Sequence, residues 1–369
     1  MILNGVNIEG GNGPIVRWSM GDTLSSSEGG VVSNTKKAIF GYGFSSPNYT
    51  SITNLVSDTG VVASNTTGVG TARTFIAAAG YGTDKAIFGY GRTSPSTYQS
   101  ITNLVSDTGV VATDTAGVGT ARQYLSAAGY GTDKAIFGYG FNGSALSLTN
   151  LVSNTGVVAT DTPGVGTARS YTAAAGYGTD KAIFGYGYDG SINVSLTNLV
   201  SNTGVVATDT AGVGTARSYL AAATYGTDKA IFGYGLPSAS YTAVTNLVSN
   251  AGVVASNTTG VGTARGDLAA AGYGTDKAIF GYGTDGSNLS ITNLVSNTGV
   301  VASNTTGVGT ARTSLAAAGY GTDKAIFGYG TTGSRVSITN LVSNTGVVAN
   351  DTAGVGTARQ YLAAAGYSL

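Results

Sequence analysis

Two recurring sets of residues have types and spacing that could do chemistry. One is an adjacent acid and base, Asp84-Lys85, which returns at Asp133-Lys134, Asp180-Lys181, Asp228-Lys229, Asp276-Lys277 and Asp323-Lys324. The other is a series of arginines at 73, 122, 169, 217, 265, 312 and 359. A carboxylate beside an ammonium could hold or move a proton, and a guanidinium could grip a carboxylate through two parallel hydrogen bonds. Their number argues against catalysis, because an active site seldom needs six or seven identical parts. Both sets are expected to be structural, with each Arg reaching a carboxylate or carbonyl of a neighbouring unit.

Other chemistry is restricted by what the chain lacks. It has no His and no Cys. Disulfides, the usual zinc ligand sets and imidazole bases are therefore absent. Asp114, Asp161, Asp209 and Asp351 lie among Asn and Thr, but without the spacing of a calcium-binding EF-hand loop. Asn65, Asn257 and Asn304 replace them in other units. Gly164-Val-Gly166 is not followed by the Gly-Lys-Ser/Thr of a phosphate-cradling loop. Asp189, Asp267 and Asp285 are unrepeated carboxylates, and each is assigned to a different unit. The expectation is a chain that is not an enzyme and takes no cofactor or metal.

Charge and hydropathy narrow the partners. Charged residues are 10% of the chain and the formal net charge is zero. No basic stripe suggests nucleic acid, and no apolar run of membrane-spanning length occurs. The N-terminus, Met-Ile-Leu-Asn-Gly-Val, has no basic start, so no secretory signal is expected there.

The elements that must position these residues follow from a repeat. Lys-Ala-Ile-Phe-Gly-Tyr-Gly begins at Lys37, Lys85, Lys134, Lys181, Lys229, Lys277 and Lys324, in steps of 47 to 49 residues. A fixed period of this length signals a repeat architecture. The unit from Arg122 shows the order. Arg122 to Tyr130 is an apolar segment, Gly131-Thr-Asp133 a turn, and Lys134 to Gly140 a second segment. A variable stretch, Phe141 to Leu148, precedes the third segment, Thr149 to Ser153. A tight turn, Asn154-Thr-Gly156, leads to the fourth, Val157 to Asp161. Each segment is short, rich in Ile, Val, Phe or Tyr, and bounded by Gly, Asn or Asp, which favours strands. The Ala runs are too short to nucleate a helix.

Four short strands per unit predict an all-β, seven-bladed β-propeller with four-stranded blades. The ends predict how it closes. The segment expected before Lys37 is missing, while a surplus copy, Arg359 to Tyr367, follows the last unit. Pairing this C-terminal strand into the first blade closes the ring and removes an exposed edge. Residues 1–30, which hold the one Trp and the linker Ser25 to Gly30, read as an N-terminal arm. Residues 31–369 read as the propeller.

The unit resembles the kelch repeat. An Arg precedes a small-residue strand (Ala127-Ala128), and an aliphatic-aromatic strand then ends in glycine (Ala135-Ile-Phe-Gly-Tyr-Gly140). The family's double Gly is Gly-Tyr-Gly here, and its Trp in the last strand is missing. The likeness implies a kelch-like propeller and no particular kelch function. The near-identity of the units, as in Thr-Asn-Leu-Val-Ser-x-Thr-Gly-Val-Val-Ala, is also similar to repeat proteins encoded by phages, cyanophages in particular. That second likeness implies a virion structural or adhesion protein, associated with a fibre, tail or capsid. The alternative is a cellular kelch-like module that binds protein or carbohydrate.

Variation between copies locates the expected binding face. Length changes fall between Gly-Tyr-Gly and Thr-Asn, and the other variable place is the pair after each Arg. In a four-stranded blade both places lie at one end. Fourteen of the 22 Tyr are fixed by the repeat, at Gly-Tyr-Gly and before Gly-Thr-Asp or at the last segment's end. Tyr49, Tyr98, Tyr124, Tyr171, Tyr188, Tyr219, Tyr241 and Tyr361 all fall at variable places, with Phe44, Phe75, Phe141, Arg92 and Arg335. Tyr among Ser, Gly and Asn is the composition of adaptable binding loops. These residues are the expected face for protein or surface carbohydrate. Ile2, Leu3, Val6, Ile8 and Trp18 are the expected docking residues toward other virion proteins, in an assembly of several copies.

Overall fold

The computed structural model describes Ile2–Leu3, Val6–Asn7 and residues 36–368. The chain divides into two compact units, Met1–Ser33 and Asn34–Leu369. In the first, Ile2–Leu3 and Val6–Asn7 form a two-stranded antiparallel pair. Ile8 and Trp18 lie outside the described residues.

The second unit is built of seven three-stranded antiparallel sheets among the described residues. Ser126–Tyr130, Lys134–Gly138 and Thr149–Val152 form one, with the Lys-Ala-Ile-Phe-Gly strand in the middle. In this middle strand every residue after the Lys is buried. Side chains alternate across a strand, so a strand apolar on both faces must be covered on both faces. The packing shows how. Ile136 and Tyr139 face Ala182, Phe184 and Val200 of the following sheet. Ala135 and Phe137 face Ile87 and Tyr90 of the preceding one. Gly138 has no Cβ because Phe184 sits on its backbone; an added Cβ would lie 2.7 Å from the ring.

Seven such apolar clusters lie between sheets. One joins the seventh sheet to the first, through Ile326 and Tyr329 against Ala38, Phe40 and Val56. The first sheet takes one of its edge strands from the C-terminal end. Ala363–Ser368 pairs with Lys36–Gly41, with Ala363 opposite Gly41 and Tyr367 opposite Lys37. The predicted pairing of the last segment into the first sheet is therefore present.

The four-stranded blade needs correcting. The fourth segment makes only isolated bridges, such as Val152 to Val158 and Thr149 to Thr162. Its backbone still bonds to the third strand, with Ala159 N–H donating to Leu151 at 2.8 Å. The Gly-rich turn and the Thr-Pro-Gly stretch leave too few consecutive extended residues for a regular strand. Val157, on this outer edge, is 66% exposed.

Candidate functional site

The recurring Arg is the post on which the variable end is built. Arg122 is fully buried. Its guanidinium lies 4.1 Å from the centre of the Tyr90 ring in the preceding unit. Nη2 donates to Asn150 and Nη1 to the Thr120 carbonyl. Asp161 of the following loop is 3.9 Å away and accepts from the Thr120 hydroxyl. Asn65, Asn257 and Asn304 take the Asp position beside Arg359, Arg217 and Arg265, through hydrogen bonds to the neighbouring Thr. The tight packing holds Tyr90 at φ 64, a region few non-Gly residues occupy. The Asp-Lys pairs are local contacts, 2.6 Å for Asp84 and Lys85, at the turn between the first two strands. The expected reach to a neighbouring unit's carboxylate needs correcting: Asn150 and Asp161 belong to the unit that Arg122 opens, and the preceding unit contributes the Tyr90 ring and the Thr120 carbonyl.

Immediately after each Arg the chain makes a bridge to the start of the variable stretch. Thr74 pairs with Arg92, Gln123 with Phe141, Ser170 with Tyr188, and Gly266 with Thr284. The two variable places are hydrogen-bonded to each other, at one end of each sheet. The Gly-Thr-Asp turns lie at the opposite end of the same strands. They border two cavities of about 350 and 380 Å³ lined by Lys, Thr and Tyr.

The second residue after each Arg forms a collar. These residues are Phe75, Tyr124, Tyr171, Tyr219, Asp267, Ser314 and Tyr361, all with φ between 49 and 55. Backbone N–H groups link them in turn. Tyr361 donates to Ser314, Ser314 to Asp267, Asp267 to Tyr219, Tyr171 to Tyr124, and Phe75 to Tyr361. Ring contacts cover the other two steps, Phe75–Tyr124 and Tyr171–Tyr219, each at 4.6 Å. With Tyr361–Phe75 at 4.3 Å and Tyr124–Tyr171 at 4.2 Å, five aromatic rings adjoin in one arc, Tyr124 and Tyr171 stacked, Phe75 and Tyr124 edge to face and the others tilted. Asp267 and Ser314 occupy the remaining gap.

The collar borders a cavity of about 240 Å³, floored by Leu125, Leu220, Leu268, Leu315 and Leu362. Another, of about 410 Å³, is lined by its aromatics with Leu236, Tyr241 and Asp267. Burial pushes the Asp267 carboxyl up to about 6. Burial also raises the Tyr171 hydroxyl far above its usual range, helped by hydrogen bonding with Tyr124 and Tyr219.

The sequence-predicted residues thus separate into two groups. Phe75, Tyr124, Tyr171, Tyr219 and Tyr361 are brought together in the collar. Phe44 with Tyr49 and Tyr98 with Phe141 make outer pairs, at 5.5 and 6.3 Å. Arg92 and Arg335 lie over the Phe75 and Phe44 rings, each at 4.7 Å. Tyr188 turns back to donate to the Gly190 carbonyl. Tyr241 packs over Gly266 beside Asp267.

Sequence reasoning missed Asp267 and Ser314 as collar members. Their position after Arg265 and Arg312 was the available signal. It also misplaced Asp267 and Asp285 in different units. The Gly266–Thr284 bridge puts both beside the same sheet, whose strands are Ala269–Tyr273, Lys277–Gly281 and Thr292–Val295.

No protein-family model and no curated protein matches the chain. A solved structure of YjhT aligns at TM-score 0.55 and 12% identity, covering 75% of this chain and 97% of that one. The fold is propeller-like. A fungal alcohol oxidase with catalytic diversity among the AA5 family, in complex with copper, aligns at TM-score 0.58 and 12% identity. It covers 80% of this chain and 67% of that one. This second likeness corrects the expectation that the chain is not an enzyme, because the propeller-like fold is shared with one. The shared sheet beside Asp267 and Asp285 removes a further ground for that expectation. The oxidase's copper does not carry over by likeness. This chain has no His or Cys, and among the described residues no group of three or more His, Cys, Asp or Glu converges.

Proposed function

We propose that the seven sheets are the blades of one closed, kelch-like propeller, and that the protein is a phage virion component presenting a binding face. The face is the end that carries the variable stretches and the collar, and it contacts protein or surface carbohydrate. Residues 1–30 attach the ring to other virion proteins in several copies, as part of a fibre, tail or capsid. One observation carries the binding reading. Within the repeats, every length change and every unfixed aromatic falls at the two variable places, and these are bonded together at one end of the sheets. A rigid scaffold with variable loops at one end is how binding surfaces are commonly mounted. Aromatic anchors supply contact area, and several copies raise avidity where single contacts are weak.

Mass spectrometry of purified particles tests the virion setting. The chain is expected in the particles, and deletion of residues 1–30 should release it while the ring melts as before. A chain absent from particles, or still assembled after the deletion, sinks that half of the reading.

A further inference from the structure

The aromatic arc is broken at Asp267 and Ser314, and the two rings bordering this gap are Tyr219 and Tyr361. Tyr219 meets only the Tyr171 ring, and Tyr361 only the Phe75 ring, each at a tilt of 36°, among the described residues. Each therefore keeps one ring face without an aromatic neighbour. Tyr219, Asp267, Ser314 and Tyr361 line one cavity of about 240 Å³, so a cation entering it meets the carboxylate and both rings. Tyr241 adds a third ring beside the same carboxylate.

The carboxylate itself has no counter-charge. Asp114, Asp161, Asp209 and Asp351 each have an Arg, and six others have the adjacent Lys. Among the described residues, the Asp267 side chain makes no ion pair and no hydrogen bond, although it faces a cavity. A half-buried carboxylate with no fixed partner is partly stripped of water, so a cation that meets it gains more than at an exposed one. The same end of the molecule already shows the preference, since Arg92 and Arg335 are laid over the Phe75 and Phe44 rings.

We propose that this gap is a binding site for a methylated ammonium ion, held between the faces of Tyr219 and Tyr361 with the Asp267 carboxylate as counter-charge. Ring faces attract a diffuse cation that hydrates weakly, and the methyl groups fill the apolar floor of Leu268 and Leu315. A bare ammonium would lose more hydration on entry. The site deepens the binding reading above by naming a ligand class for the centre of that face.

Choline is a suitable probe, and 3,3-dimethylbutan-1-ol is its uncharged isostere. Calorimetry on the full chain should be done at about pH 8, above the raised Asp267 carboxyl and below the Tyr219 and Tyr241 hydroxyls, which burial pushes up; Asp285 also faces this site. Choline should saturate one site per chain, and the alcohol should bind about tenfold more weakly or less. Asp267→Asn, nearly isosteric, should lose about tenfold in choline affinity with its melt intact. Tyr361→Leu should do the same. The proposal is overturned if choline gives no saturable heat, if the alcohol binds as well, or if Asp267→Asn binds choline as the parent does. Host-cell adsorption separates the two readings. A chain that binds choline but adsorbs nowhere sinks the surface-binding reading alone, and one that adsorbs without binding choline sinks the cation site alone.

Discussion

A chain lacking Arg359–Leu369 is expected to lose its cooperative melt and to aggregate. The deleted segment supplies Ala363–Ser368, an edge strand of the first sheet, and its register with Lys36–Gly41 is continuous. It also removes three buried apolar side chains, Leu362, Ala365 and Tyr367. Tyr329 loses the Arg359 guanidinium 3.9 Å from its ring centre. Losing one large buried side chain costs about 2–5 kcal/mol, so the combined loss is of the order of a domain's whole stability. The exposed edge of Lys36–Gly41 would then be open to pairing with another chain. Thermal melting with size-exclusion chromatography checks this. A truncated chain that stays monomeric and melts like the parent contradicts closure by the last strand.

The second large effect is expected at the buried arginines. Arg217 is fully buried, and its three nitrogens donate to the Tyr234 carbonyl at 2.7 Å, the Thr215 carbonyl at 2.8 Å and Asn246 at 2.8 Å. Its guanidinium also stacks 4.1 Å from the Tyr186 ring centre. Arg217→Ala leaves these acceptors unpaired in a cavity, and the expected loss is about 3–5 kcal/mol. Lys in its place keeps the charge but not the planar fork, so it should recover less than half of that. Urea denaturation measures both. A loss below about 1 kcal/mol for Arg217→Ala would show that the Arg posts do not hold the loops.

The architecture was legible because the sequence states it seven times. Lys-Ala-Ile-Phe-Gly is apolar on both faces, and only a strand between two other sheets buries both. The role of Arg122 was legible from its copy number, and its Tyr90 partner was not. That contact depends on Tyr90 adopting a positive φ, which no propensity for Tyr announces. The fourth strand was overread because Val157-Val-Ala has strand composition, yet a Gly turn and a Gly-rich stretch leave it only bridges. The collar was half legible. Its aromatics stood out against Ser and Thr, but Asp267 and Ser314 gave no such contrast. Their membership comes from backbone bonds to neighbouring units, a tertiary relation that a single unit does not encode.

We place binding at the end of the sheets where the copies differ. The most direct measurement is adsorption to host cells by two variants of the full chain. One changes Tyr49, Tyr98 and Tyr188 together to Ser. The other changes Thr83, Thr132 and Thr179, at φ of 67 or 68 on the opposite turns, to Asp, which tolerates that conformation and adds charge there. Both should melt like the parent. The tyrosine variant is expected to lose adsorption by about tenfold or more while the threonine variant adsorbs normally. Normal adsorption by the tyrosine variant, with loss in the threonine variant, would contradict it.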